Sequence, residues 1–144
     1  MSASTTFNDT VIAEFRATGG RVDSVGFGDR LVLLRTTGRR SGHERINPVM
    51  AIPDGDAWLV TASAAGAPKD PAWAHNLRAH PATTIETGWQ TVPVTATELD
   101  GPEHAAAWKR FTDLSDAFAQ YQRRAKIRRL PIFRLQRTNA AGHP

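Results

Sequence analysis

LVLLRTTGRRSGHERINPVMAIPDGDAWLVTA, residues 31–62, decides the fold. Leu31-Val32-Leu33-Leu34 is a compact apolar run that reads as a strand buried on both faces or nearly so. The Gly38–Gly42 turn follows it. Arg45–Ile52 reads as the next strand, with Pro48 demoting part of it to an edge or a bulge because proline cannot donate to a ladder. Pro53-Asp54-Gly55-Asp56 is a reverse-turn signal, and Ala57–Ala62 is a third strand. Three strands in immediate succession make an antiparallel meander and disfavour a parallel α/β fold.

Outward from that meander the chain alternates helices and strands. Phe7, Val11, Ile12 and Phe15 share one helical face, which predicts an amphipathic helix over 7–17 with Asn8 or Thr6 as its cap and Thr18-Gly19-Gly20 as its end. Downstream, Asp70-Pro71 reads as N-cap and first helical position of a helix running to about Ala79. Thr83–Thr87 and Gln90–Glu98 alternate as two strands around Gly88-Trp89. Asp100 and Glu103 have capping-box spacing, and Trp108, Phe111, Leu114, Phe118 and Tyr121 mark one side of a single long helix. Pro131–Leu135 is a last short strand, and the tail 138–144 is expected to fray. The expected architecture is mainly β with flanking helices, a small closed or split antiparallel barrel formed by one domain over 1–144, with barrel and helices within about 30–136.

With 144 residues, 40% hydrophobic and 22% charged, the composition is that of a folded globular chain. No apolar run approaches the roughly 20 residues needed to span a bilayer, and no secretory signal is visible in MSASTTFNDT. The chain has no cysteine, which excludes disulfides and thiolate chemistry and makes a reducing cytoplasm the expected location. Net charge is +4, and only Lys69, Lys109 and Lys126 of the 18 basic residues are lysine. Arginine supplies planar donors suited to phosphate and carboxylate.

Five scattered histidines, His43, His75, His80, His104 and His143, show no metal-ligand spacing, so no metal is expected. No Gly-x-Ser-x-Gly elbow, Walker loop or dinucleotide fingerprint occurs. Thr37–Gly42 with Arg45 is instead either a solvated basic hairpin or a concave anion site made of turn amides and Arg39, Arg40 and Arg45. Arg123, Arg124, Lys126, Arg128 and Arg129 complement the dipole at a helix C-terminus. Nucleic acid is not an expected partner, since no aromatic stacking platform or recognition helix accompanies the basic turn.

Three segments carry a family resemblance: LLRTTGRRSGHERINPVM (33–50), DGDAWLVTASAAGAPKDPAWAHNLRAHP (54–81), and FAQYQ (118–122) with LPIFRL (130–135). Together they resemble the deazaflavin-dependent nitroreductase family, whose members use coenzyme F420. The resemblance implies a split β-barrel of the FMN-binding, flavin-reductase type. It implies hydride transfer from the reduced deazaflavin to an electron-poor quinone, enone or nitroaromatic. It also implies that Arg39, Arg40, Ser41 and Arg45 hold the cofactor's phosphate and oligoglutamate tail, and that Ile46, Asn47, Pro48, Val49 and Met50 line the path of the ribityl chain and ring. Thr61, Ala62 and Ser63 would lie against the deazaflavin, and Ala72, Trp73, His75 and Asn76 would close the site. Tyr121 would border the substrate pocket; the anion produced would take its proton from Tyr121 or from water, and Ser63 or a backbone amide would stabilise it. Three departures from the family pattern stand out: Ala64 where members carry lysine, Ala74 where they carry an aromatic, and Phe118 where some carry a second tyrosine. A non-catalytic protein that binds a deazaflavin or small apolar ligand on the same fold is the alternative. Either would be a monomer or homodimer.

Overall fold

Residues 3–24, 26–63, 66, 69–125 and 129–138 are described by the computed structural model. Strand β1 (Leu31–Thr37) pairs antiparallel with β2 (Glu44–Asp54), and β2 with β3 (Ala57–Thr61), as the meander requires. The sheet continues through β6 (Ile132–Arg137), β5 (Gln90–Glu98) and β4 (Ala82–Thr87), then returns to β1, closing a six-stranded antiparallel barrel. Among the described residues four helices flank it: α1 (Ala3–Thr18), α2 (Ala72–Ala79), α3 (Gly101–Leu114) and α4 (Asp116–Ala125).

Alternation along β1 explains its uninterrupted apolar run. Val32 and Leu34 point into the barrel, where they pack with Val60, Ile85, Val94 and Phe133. Leu31 and Leu33 point outward onto Val11 and Phe15 of α1. A third cluster, built on Leu59, Phe111, Phe118 and Ile132, seats α3 and α4 against the other flank. Helix α2 stops the barrel interior with Trp73, Ala74 and Leu77.

Pro48 sits where the sequence placed an irregularity. It is opposite Leu33 of β1, but β3 begins to pair with β2 only at Ala51, so residues 44–50 have a ladder on one side alone. A missing N–H costs nothing along that open edge.

Several expected boundaries move. Helix α1 begins at Ala3, so Thr6 and Asn8 lie inside it rather than capping it, and Phe7 is 46% exposed rather than on the buried face. Pro71, not Asp70, is the N-cap of α2, and the Asp70 carboxylate instead accepts from Arg78 at 3.0 Å. Asp100 does cap α3 by position but makes no side-chain cap bond, and Glu103 faces Arg134 at 3.6 Å. The long helix is two. Ser115 is extended (φ −158°, ψ 133°), and its hydroxyl accepts from the Ala117 N–H at 3.2 Å, starting α4 as an N-cap does. The last strand runs from Ile132 to Arg137, and Thr138 is held by a 2.8 Å bond from its N–H to Pro93 O; 139–144 lie outside the described residues.

Candidate active site

The open edge of β2 is the wall of two adjoining clefts. An outer cleft of about 790 Å³ is bounded by the arginine turn, β2 residues 44–47, one face of α1 and the start of α2. An inner cleft of about 440 Å³ lies along β2 residues 48–50, beneath α4. Pro71 and Trp73 line both and join them. Consecutive β2 residues serve as lining because an unpaired strand edge presents both faces and its backbone.

The turn that bears the arginines is held from within. Gly38 N–H donates to His43 O and Gly42 N–H to Gly38 O, each at 2.8 Å, and Gly42 takes φ +73°. A Cβ on Gly38 would meet Ser41 Oγ at 2.5 Å. That hydroxyl is folded inward and accepts from His43 N–H at 3.1 Å, so Ser41 shapes the turn. From α2, buried Asn76 pins the turn to the barrel. Its amide oxygen accepts from the Arg39 N–H, and its amide nitrogen donates to Thr36 Oγ1, both at 3.1 Å.

Two classes of arginine meet here. Arg16 of α1 and Arg35 of β1 converge on Glu86 of β4, with closest approaches of 2.6 and 3.1 Å. The Arg16 hydrogen bond, followed by that of Arg35, outweighs burial and holds the Glu86 carboxyl below its ordinary range. Arg39, Arg40 and Arg45 are exposed and make no ion pair with another described residue. All three line the outer cleft, which Asp9, Arg16 and Glu44 also line.

The inner cleft is apolar with a few hydroxyls. Val49, Met50, Trp73 and Phe118 supply its walls, and Thr61, Ser63, Ser115 and Tyr121 its hydroxyls. Thr61 Oγ1 donates to Pro131 O at 2.9 Å, which leaves its oxygen as an acceptor. Tyr121 stands edge-on to Phe118 (5.8 Å, 90°), itself edge-on to Phe111 (5.2 Å), so the phenol is braced by an aromatic chain rooted in the core.

Of the residues expected at the site, Arg39, Arg40, Ser41, Arg45, Ile46, Asn47, Ala72 and Asn76 line the outer cleft. Pro48, Val49, Met50, Thr61, Ser63 and Tyr121 line the inner one, and Trp73 both. Ala62 and His75 line neither. Ala62 is fully buried in the barrel core, since strand alternation sends it opposite to Thr61 and Ser63. His75 is turned by the helical pitch of α2 into a separate cleft beside Arg78 and Glu98, with Nδ1 3.5 Å from Arg78. Ala74, at the position where an aromatic was expected, is also fully buried in the core. Ala64 and the cluster members Lys126 and Arg128 lie outside the described residues. The sequence reading missed the α1 wall, with Asp9, Ile12 and Arg16, and the turn bearing Phe27 and Arg30. Phe118 had an available signal as a lining residue, being one helical turn before Tyr121.

A family model described as F420H(2)-dependent quinone reductase matches residues 8–137. The chain belongs to this family. It is therefore an oxidoreductase of an F420-dependent kind. The F420H(2)-dependent quinone reductase of Mycobacterium tuberculosis strain H37Rv is 33% identical over 134 residues, 87% of this chain and 86% of that protein. Among solved structures, an F420-H2 dependent reductase (FDR-A) is 33% identical with a TM-score of 0.68, covering 74% of this chain and 94% of that one. A chain described as a domain-swapped dimer is 30% identical, TM-score 0.70, covering 93% and 100% respectively. The haem storage protein HutZ from Vibrio cholerae, at 15% identity and TM-score 0.55, shares the fold alone. Among the described residues of this quinone reductase family member, no helix is long and apolar enough to cross a membrane.

Proposed function

We propose that this protein reduces a quinone with reduced coenzyme F420, gripping the cofactor's anionic tail in the outer cleft and aligning its ring with the acceptor in the inner one. The observation that carries this reading is the sorting of the arginines. Glu86 pairs with both Arg16 and Arg35, and Glu44 with Arg35, whereas Arg39, Arg40 and Arg45, which line the outer cleft with Arg16, make no ion pair with a described carboxylate. Charge-assisted bonds from such forks to phosphate or carboxylate are about twice as strong as neutral ones.

When bound, the reduced deazaflavin supplies a hydride at C5. The chain's own residues do the rest. Arg39, Arg40 and Arg45 anchor the tail, and Asn76 fixes the turn that carries two of them. Trp73 spans the junction of the clefts, and Val49, Met50 and Phe118 keep water from the reacting faces. A rigid apolar slot suits donor and acceptor atoms that must approach to about 3–3.5 Å. The Tyr121 hydroxyl, or water beside it, delivers the proton that completes reduction, and the Ser63 hydroxyl is suited to hydrogen-bond the anion before that proton arrives. This scheme needs a single small electron-poor partner and keeps the cytoplasmic location expected from the sequence.

The test is direct. Protein is mixed with reduced F420 and a quinone while cofactor reoxidation is followed by absorbance, with reduced FMN in a parallel arm. Rapid reoxidation with F420 alone is the expected result. Tight F420 binding without reoxidation by quinones, enones or nitroaromatics would assign the protein to the non-catalytic alternative.

A further inference from the structure

We propose that Arg30 is the electrostatic catalytic residue of the inner cleft, stabilising the anion that forms on the acceptor; this rests on the quinone reductase reading above. Among the described residues that line the inner cleft, Arg30 carries the only charge. The other polar groups are four hydroxyls and the Trp73 indole N–H, and two of the hydroxyls are already engaged: Thr61 donates to Pro131 O, and Ser115 accepts from the Ala117 N–H.

The backbone of Arg30 is fixed. Its carbonyl accepts from the Ala51 N–H at 2.9 Å, and its N–H donates to Phe27 O at 3.3 Å, closing the turn that leads into β1. Its side chain is exposed and makes no ion pair with another described residue, unlike Arg16, Arg35, Arg78, Arg110 and Arg134. Arg30 lines the inner cleft and also, with Asp29, a second cleft beside β1; with no ion pair to a described carboxylate, its guanidinium is available to negative charge in the inner cleft.

The reaction creates such charge. A quinone that accepts a hydride gains two electrons and one proton, and the displaced carbonyl π electrons end on oxygen, giving a hydroquinone monoanion. One further proton, from Tyr121 or water, yields the hydroquinone, while the balancing proton leaves to solvent as the reduced cofactor is oxidised. The acceptor arrives neutral, so a cation beside that oxygen favours the transition state over the bound substrate.

The probes are 2-hydroxy-1,4-naphthoquinone, an anion at neutral pH, and the neutral 1,4-naphthoquinone, titrated by calorimetry. Arg30→Gln is expected to weaken the anion about tenfold, as loss of one charge-assisted bond predicts, and to leave the neutral quinone and oxidised F420 unaffected. Arg30→Lys should restore most of that loss. The kcat/KM for 1,4-naphthoquinone should fall by a similar factor in Arg30→Gln, with cofactor Kd unchanged. Unaltered anion affinity in Arg30→Gln would overturn the proposal. An equal loss of F420 affinity would also overturn it, by placing the side chain on the cofactor. Arg45→Ala should leave anion affinity intact, and a fall there instead would move the anion to the outer cleft and sink the assignment. If wild-type protein fails to oxidise reduced F420 while the Arg30-dependent anion binding holds, the reductase reading fails and the anion site stands.

Discussion

Asn76 offers the sharpest test of how the proposed cofactor cleft is built. It is only 5% exposed, and its amide makes two bonds at 3.1 Å, one to the backbone of Arg39 and one to the hydroxyl of buried Thr36. Asn76→Leu preserves approximate volume but removes both. Each bond contributes about 0.5–1.5 kcal/mol net, and the partners left unpaired add desolvation cost, so the expected loss is roughly 2–4 kcal/mol. For a chain of this length that corresponds to a fall in Tm of about 6–15 °C, measurable by circular dichroism. Asn76→Asp keeps an acceptor for the Arg39 N–H, and the Thr36 hydroxyl can rotate to donate, but the buried carboxylate adds its own desolvation cost, so this variant should also be destabilised. Because Asp adds an anion behind the arginine turn, cofactor binding should weaken in both variants, by about tenfold or more in fluorescence titration. If Asn76→Leu melted within about 2 °C of wild type and bound F420 equally well, a margin well inside the calculated loss, the turn would not be held from α2 and the reasoning would fail.

Other predictions probe the remaining parts. Arg39→Ala with Arg45→Ala should weaken F420 binding by about 10–100-fold at low salt, the exposed setting reducing the full charge-assisted value, and the gap should narrow as ionic strength rises. An equal affinity at all salt concentrations would remove the tail from that cleft. Tyr121→Phe is expected to cut kcat by at least about tenfold with cofactor Kd unchanged, and a wild-type kcat would assign the proton to water. Because Arg16 and Arg35 hold the Glu86 carboxyl below the ordinary carboxylate range, its contribution to stability is present above that range and is lost as pH falls through the lowered value. Denaturant unfolding should accordingly find Glu86→Gln less stable than wild type by about 1–3 kcal/mol at pH 7, with the two converging in acid; a constant gap across pH would refute the ion-pair account. Gly66→Ala should lower Tm and kcat together, since φ is +81° and a Cβ would meet Tyr121 O at 2.5 Å; an unchanged Tm would show that α4 does not close on this loop.

Much of the barrel was legible because its signals are local. The run Leu31–Leu34, the Pro53–Asp56 turn and the alternation of Gln90–Glu98 each announce a strand, and their succession announces the meander. The break at Ser115 was not legible, because Phe111, Phe118 and Tyr121 keep helical spacing across it while one residue switches to extended backbone. The placement of Ala62 and His75 depended on phase. Both fall within cleft-lining stretches, but strand alternation and helical pitch rotate them away. Glu86 carried no sequence signal at all, since its partners lie 70 and 51 residues distant and meet it only when β1 and α1 fold onto β4. Arg30 was hidden likewise, a cation outside any periodic pattern.

The single extended residue between α3 and α4 has a consequence for how acceptor preference can diverge. Phe118 and Tyr121 ride on a ten-residue helix joined to α3 through Ser115, whereas Arg39, Arg40 and Arg45 belong to the hairpin between β1 and β2. Under the proposed function, β2 and Trp73 serve both clefts, but the α4 wall of the inner cleft and the arginine turn of the outer one come from separate pieces of chain. On that reading, lengthening or re-aiming the short helix would change which oxidant fits, while the grip on the electron carrier would stay as it was.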